Sequence, residues 1–242
     1  MTGKDEITDM LNALSMKQSQ LAESLAAGNT QMRSLAKRVW KVQEDERKHI
    51  ARELHDGVGQ LLTALINQVE QTLKEEKDEN LQQSLKDSLE LARQALNDTR
   101  KISRLMRPRI LDDLGLVPAL KWLRRIMQEQ TDLTIELETH IDKELDEETQ
   151  TLVFRVVQEA LTNAIKHAGA NHIKIDVASQ PSILLVKVTD DGVGMDTNKA
   201  LGPDGFGLSA MQDRVAAFGG QLMINSAKGK GAEVKMLLMG EH

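Results

Sequence analysis

From residue 10 to residue 49, apolar side chains recur at alternating spacings of three and four: Leu11, Leu14, Leu21, Leu25, Met32, Leu35, Val39 and Val42. Gln18, Gly28, Glu46 and His49 occupy the same phase and weaken it. That spacing predicts the seam of a two-stranded coiled coil, with Gly28-Asn29 as an interruption. At Ile50 the stripe moves by one residue and continues as Ile50, Leu54, Leu61, Leu65 and Val69. Such a phase shift changes the supercoil locally. The polar stretch "KEEKDEN" (74–80) separates it from a second amphipathic segment carrying Leu81, Leu85, Leu89, Ala92, Leu96, Ile102 and Leu105. That segment ends at Arg107-Pro108, because the residue before a proline leaves the helical region. Two long helices with a short loop predict an antiparallel hairpin. One hairpin exposes too much apolar stripe to stay alone, so a homodimeric four-helix bundle is expected.

Beyond Pro108 the pattern shortens. "RILDDLGLVPALKWLRRIMQEQ" (109–130) reads as a turn and then a helix from about Val117-Pro118. "LTIELET" alternates as a strand. Residues 146–168 form a strong helix, with acids in the first turn and Lys166, His167 and Gly169 at its end. "HIKIDVAS" and "SILLVKVTD" are strands joined at Gln180-Pro181; a glycine-closed helix spans 205–220; "QLMINSA" and "AEVKMLLM" are strands joined by "KGKG". This predicts an α+β fold, a mixed sheet with helices on one face. The chain therefore divides into a coiled coil (1–42), a helical hairpin (43–108) and an α/β sandwich (109–242).

Composition narrows the function classes. The chain has 242 residues, is 40% hydrophobic and 28% charged, and has no cysteine, so neither a disulfide nor a thiolate metal site is expected. No run of 18 apolar residues occurs, and Lys4, Asp5, Glu6 and Asp9 lie near the start. Neither a transmembrane span nor a secretory signal is expected, and the location is expected to be cytoplasmic, any membrane segment of a receptor lying outside this chain. A net charge of −6, 2% aromatics and no tyrosine argue against direct nucleic-acid binding.

Four stretches carry chemistry. In "ARELHDGVGQLL" (51–62), Gly57 and Gly59 interrupt a helix, each costing about 1 kcal/mol relative to alanine, directly after His55 and Asp56. Glu159, Asn163 and Lys166 share one face of the 146–168 helix, and an Asn–Glu pair suits Mg²⁺, which needs only one or two protein oxygens besides waters and phosphates. In "VTDDGVGM" (188–195), Asp190 can accept from an adenine amino group while Gly192 and Gly194 let backbone approach a flat ring. In "DGFGLSAM" (204–211), Gly205 and Gly207 open a helix whose free N–H groups favour phosphate. "DTNKALGP" (196–203) between them has the composition of a mobile lid. Taken singly, a solvated helix face, a plain turn and a helix start would explain the last three stretches.

Their order and spacing resemble the N, G1 and G2 boxes of the GHKL ATP-binding fold shared by histidine kinases, Hsp90, type II topoisomerases and MutL. The resemblance covers roughly residues 115–240. It implies ATP and Mg²⁺ as cofactors, with Asn163 as the metal ligand, Glu159 supporting the metal or its water, and Asp190 reading adenine. It implies a nucleotide pocket that also includes Lys166, His167, Gly192, Gly194, Gly205, Gly207 and Leu208. "ERKHIARELHDGVGQ" resembles the phosphoacceptor box of the nitrate-sensor-like histidine kinases, whose His-Asp-x-x-x-Gln pattern is matched by His55, Asp56 and Gln60. "RLMRPRILDDLGLVPAL" (104–120) resembles the joint between helical and catalytic domains of that subfamily.

The resemblance implies autophosphorylation of His55, transfer to an aspartate of a response regulator with helix-turn-helix output, and dephosphorylation of that regulator. Asp56 is the adjacent base for the imidazole proton. Gln60 is assigned by the family to placing a water; in a regular helix it lies at i+5 from His55, about 140° around. A GHKL ATPase or partner-serine kinase acting as a scaffold is the alternative, and would lack a histidine-bearing hairpin. A degenerate interaction module would lack the Asn or Asp of the boxes. A His-Asp metal phosphohydrolase would need histidines converging on metal, but His49 lies six residues from His55, not at i+4, and His140, His167 and His172 fall in the other domain.

Overall fold

The computed structural model describes residues 28, 30–106, 109–129, 131–142, 144–195 and 206–240. The coiled-coil positions before residue 28, Asn29, Arg107-Pro108, the lid 196–203 and Gly205 lie outside the described residues. The chain forms two compact units: one of residues 41–127 and 145–154, the other of residues up to Trp40, 128–144 and 155–242. No helix among the described residues is long and apolar enough to cross a membrane.

Helix α1 (30–53), part of the helical unit from Lys41 on, runs into a π-helical turn, Leu54–Val58, and continues as α2 (Gly59–Glu75). The turn between α2 and α3 (Glu79–Met106) caps itself. Glu76 turns extended and its Oε1 accepts the N–H groups of Lys77 (2.7 Å) and Asp78 (2.9 Å). Asp78 Oδ1 then accepts from Asn80 (2.8 Å) and Leu81 (3.1 Å), as an N-cap aspartate does. The polar stretch 74–80 is thus a built connector.

Ile66, Leu89, Ala92 and Leu96 form the hairpin's buried cluster, with Leu62 and Val69 against it. The sequence reading continues one stripe from Ile50 and Leu54 into Leu61 and Leu65; in the structure those two lie outside this cluster. Leu61 is 72% exposed and Leu65 48%. The π-turn supplies the reason: it holds one more residue than an α-turn, rotating every later position. The phase shift read at Ile50 is located by the structure at 54–58. Ser103 Oγ donates to the Ala51 carbonyl (2.7 Å, buried), fixing α3 against the end of α1. Two short helices follow, α4 (Arg109–Leu114) and α5 (Leu116–Gln128), hinged at Gly115 with φ +82°.

The second unit is a five-stranded sheet in the order β1-β2-β3-β5-β4. The strands are β1 (Thr134–Ile141), β2 (His172–Gln180), β3 (Ile183–Asp190), β4 (Gln221–Ser226) and β5 (Ala232–Met239). Only β1–β2 is parallel; the other pairs are antiparallel. Its core face carries Ile135, Ile173, Ile175, Val177, Leu184, Val186, Met236 and Leu238, all 2% exposed or less. Helix α6 (Glu147–Asn163) contributes the buried Val156, Val157, Ala160 and Leu161, and α7 (Phe206–Ala217) contributes Leu208, Met211 and Val215. Trp40 of α1 belongs to this unit; its indole meets the Phe218 ring edge-on (5.0 Å, 89°), and Lys37 Nζ lies 4.2 Å from the Phe218 centroid. The α+β fold expected from the pattern is the fold observed.

One side chain ties the sheet's site edge together. The Asp191 carboxylate accepts the backbone N–H groups of His172 (2.9 Å) and Asn171 (2.7 Å), joining the end of β3 to the start of β2. These bonds, His172's first, hold its carboxyl below the usual carboxylate range. A depressed folded-state value means stability present above the unfolded carboxylate value of about 3.9 and lost as pH falls through the folded one. Asp191→Asn is therefore expected to lower the thermal midpoint at neutral pH. The gap between variant and wild type should close below about pH 4; a gap independent of pH would refute the charge contribution.

Candidate functional site

Two groups of the sequence-predicted residues are brought together, one in each unit. In the sheet unit the nucleotide boxes meet through backbone. Gly192 N–H donates to Asp190 Oδ1 (2.9 Å), holding that half-buried carboxylate at the strand end with its other oxygen open to a ligand. Val193 N–H donates to Ala168 O (2.8 Å), at the end of a second π-turn, Ala164–Ala168, that continues α6. From the other side Gly231 N–H donates to Gly192 O (2.8 Å) and Gly229 N–H to Val193 O (2.6 Å). Ser226 Oγ accepts from Met195 N–H (2.8 Å) and donates to Gly231 O (2.7 Å).

These bonds revise the role of the glycines. A Cβ on Gly192 would collide with the Ala168 carbonyl, and one on Gly194, at φ +66°, with the Ala227 carbonyl. Both are required by neighbouring backbone, before any ring approaches. Gly207 has a related constraint: its Cβ would stand 2.8 Å from Glu159 Oε1. The first turn of α7 thus lies against the Glu159 carboxylate, which also accepts from Asn163 Nδ2 (3.4 Å). Asn163 Oδ1 remains for a ligand, and the oxygen set suits Mg²⁺ as a hard cation. Lys166 and His167 are exposed on the second π-turn, and Leu208 is only 8% exposed, in the core.

In the helical unit, His55, Asp56 and Gln60 are exposed on or beside the first π-turn. Gly59 N–H donates to Leu54 O, an i→i−5 bond. A turn closed at five residues has less twist per residue, so Gln60 returns towards the side of His55 rather than lying 140° away. Both residues line one cavity of about 370 Å³, with Thr63, Asn67, Thr99 and Arg100. His55 also borders a second cavity of about 690 Å³, lined by Lys48, Arg52, Arg104, Asp112 and Asp113 among others.

The two interrupting glycines are not demanded by packing among the described residues. A Cβ on Gly57 would meet nothing within 4 Å, and one on Gly59 only ordinary contacts, Leu54 O at 3.5 Å and Leu96 Cδ1 at 4.0 Å. What they supply is a weak α-helix, so that the wider turn competes. Sequence reasoning missed Asp191, Ser226, the Ala168 carbonyl and Arg100. Only the doubled acid of "TDDG" signalled the first; the rest depend on register between distant segments.

Residues 46–111 match the family model described as histidine kinase, and residues 148–241 that of histidine kinase-, DNA gyrase B-, and HSP90-like ATPases. The chain belongs to the histidine kinases. With the relatives below, it falls among the nitrate-sensor-like members. The signal transduction histidine-protein kinase/phosphatase DegS of Brevibacillus brevis is 31% identical over 235 residues, 95% of this chain and 60% of its own length. UhpB of Salmonella typhimurium, of the same description, is 33% identical over 94% of this chain and 46% of its own. This histidine kinase chain therefore spans about half the length of these relatives. Among solved structures, the histidine kinase domain of an Erythrobacter litoralis blue-light activated histidine kinase is 21% identical, with a TM-score of 0.45 over 74% of this chain and 94% of its own.

The glycines make opposite predictions. Gly57→Ala should raise stability by about 0.5–1 kcal/mol, the helix-propensity difference. Gly192→Ala should lower it by about 1–3 kcal/mol through overpacking. Urea midpoints of the two variants check this; equal destabilisation would refute the distinction.

Proposed function

We propose that this chain is the kinase core of a two-component sensor. It uses Mg-ATP to phosphorylate His55, passes the phosphoryl group to an aspartate of a response regulator with helix-turn-helix output, and dephosphorylates that regulator. The observation that carries this reading is the exposed His55–Asp56 pair on a π-turn whose cavity also holds Gln60, inside the matched histidine kinase segment.

The chemistry follows from the residues. An imidazole nitrogen of His55 attacks the γ-phosphorus; the N–P bond forms as the bond to the β–γ bridging oxygen breaks, and ADP leaves. Asp56, next in the chain, takes the imidazole proton, a role worth about 10²–10⁴-fold. On transfer the N–P bond breaks and a carboxylate O–P bond forms on the regulator. Gln60 has no proton to accept; its amide orients water towards the regulator's phosphoaspartate. In the nucleotide pocket Asp190 receives the adenine amino group. Asn163, supported by Glu159, would hold Mg²⁺, which neutralises phosphate charge.

The chain's three parts take the tasks of signalling coiled coil (1–42), dimerisation and phosphotransfer hairpin (43–108) and catalytic domain (109–242). The exposed Leu61, Leu65, Leu91 and Ile102 support homodimerisation of the hairpin, being 52–72% exposed apart from Leu65 at 48%. The alternative, a GHKL scaffold without histidine output, leaves the exposed His-Asp pair unused.

With labelled ATP and Mg²⁺, acid-labile label is expected on wild type and none on His55→Ala, whose nucleotide affinity should stay unchanged. Undiminished label on His55→Ala would sink the assignment. Asp190→Asn should weaken ATP binding by about 1–3 kcal/mol, roughly 5- to 150-fold; normal affinity would refute the pocket. Gln60→Ala should keep autophosphorylation within a few-fold and lose regulator dephosphorylation. Loss of His55 labelling in a folded Gln60→Ala dimer would contradict that division.

A further inference from the structure

The hairpin's register puts one more charged group at His55. Ser103 is bonded to the Ala51 carbonyl, and Leu96 Cδ1 lies 4.0 Å from where a Gly59 Cβ would be. In an antiparallel pair, 51 opposite 103 and 59 opposite 96 set the α3 positions midway between Leu96 and Ser103, Thr99 and Arg100, opposite His55. Both indeed line the cavity of His55 and Gln60.

That cavity has a distinct charge character. Among the described residues its lining holds one permanent cation, Arg100, and no carboxylate. Thr63 and Thr99 spend their hydroxyl protons on backbone carbonyls, Gly59 O (2.7 Å) and Ala95 O (2.8 Å). Arg100 makes no hydrogen bond or ion pair with the described residues. The larger cavity differs: Asp112 and Asp113 share it with Lys48, Arg52 and Arg104, and Lys48 already faces Asp45 (3.9 Å) and Glu147 (3.7 Å). An unpartnered guanidinium that shares a cavity with a nucleophile, where the lining itself holds no carboxylate, suits an anion. A guanidinium fork matches phosphoryl oxygens bidentately.

We infer that Arg100 is a catalytic residue of the histidine kinase reaction, gripping the oxygens of the phosphoryl group as it arrives at and leaves His55. The inference rests on the kinase reading. Bonds break and form at His55 as already described; Arg100 exchanges no proton and counters the charge spread over the phosphoryl oxygens in the transition state.

The test is labelling of His55 from ATP as a function of ATP concentration, with the reverse transfer from phospho-His55 to ADP, on the full chain. Arg100→Gln should lower kcat about 10²-fold in both directions, the usual loss for one preorganised donor, with KM for ATP unchanged. Arg100→Lys keeps the charge and loses the fork, so it should recover only part of the rate. Lys101→Gln, the next residue of α3 and in the lining of neither cavity, should stay within a few-fold of wild type. Helical content and thermal midpoint should match wild type in all three, which a structural role for Arg100 would not give. A wild type that labels while Arg100→Gln labels at the same rate overturns the inference alone, as does an equal loss in Lys101→Gln. A wild type without acid-labile label overturns the kinase reading and the role of Arg100 with it.

Discussion

The hydrogen bond from Gly59 N–H to the Leu54 carbonyl organises the helical unit. Closing a helical turn over five residues inserts one extra position, and everything downstream is set by it. Ile66, Leu62 and Val69 face α3; Leu61 and Leu65 face away; Gln60 returns to the side of His55. A regular α-helix through the same segment would exchange those faces and separate the two polar residues. Two glycines that no packing contact requires are the sequence's way of leaving that wider turn accessible, at about 2 kcal/mol of forgone helix propensity for the pair.

The sheet unit uses the same device at its own site. A second π-turn ends α6, and its Ala168 carbonyl anchors the 190–195 loop. The rest of that loop is fixed by amides, one serine hydroxyl and the carboxylates of Asp190 and Asp191, with glycines wherever two backbones approach too closely for a Cβ. Rigidity there comes from main-chain bonding, and side chains such as Asp190 and Asn163 are left with atoms to offer a ligand. In each unit a candidate site residue, His55 in one and Asn163 in the other, stands in or beside a helix irregularity, where a regular helix would have committed it to its own periodicity.

Much of this was legible beforehand. The alternating strands, the acid-started helix α6 and the hairpin followed from periodicity and capping, because local physics decides them; the 74–80 stretch was legible as a polar break but not as a self-capping one. His55, Asp56, Gln60, Asn163 and Asp190 could be nominated as candidates because each stands in a short motif. The helix faces were not. Periodicity was projected through 54–58 at 100° per residue, and a single π-bond invalidates that projection without leaving a pattern in the residues themselves. Arg100 was invisible for a related reason: its place opposite His55 depends on the hairpin register, which Ser103 and Leu96 fix from 40 or so residues away. Asp191 was overshadowed by its neighbour, since an acid that bonds backbone across strands looks the same in sequence as one that bonds a ligand.

The contact of Trp40 with Phe218 has an energetic peculiarity. The edge-on ring pair and the Lys37 ammonium favour it, by about 0.5–1.5 and 0.5–1 kcal/mol respectively. Yet Trp40 is 6% exposed and its buried indole Nε1 has no hydrogen-bond partner among the described residues, which costs about 1–3 kcal/mol. The polar terms nearly cancel, so what favours the contact is the burial of the indole. Exposure would return the indole to water, so in a Trp122→Phe background the fluorescence of Trp40 gauges whether its contact with Phe218 is made.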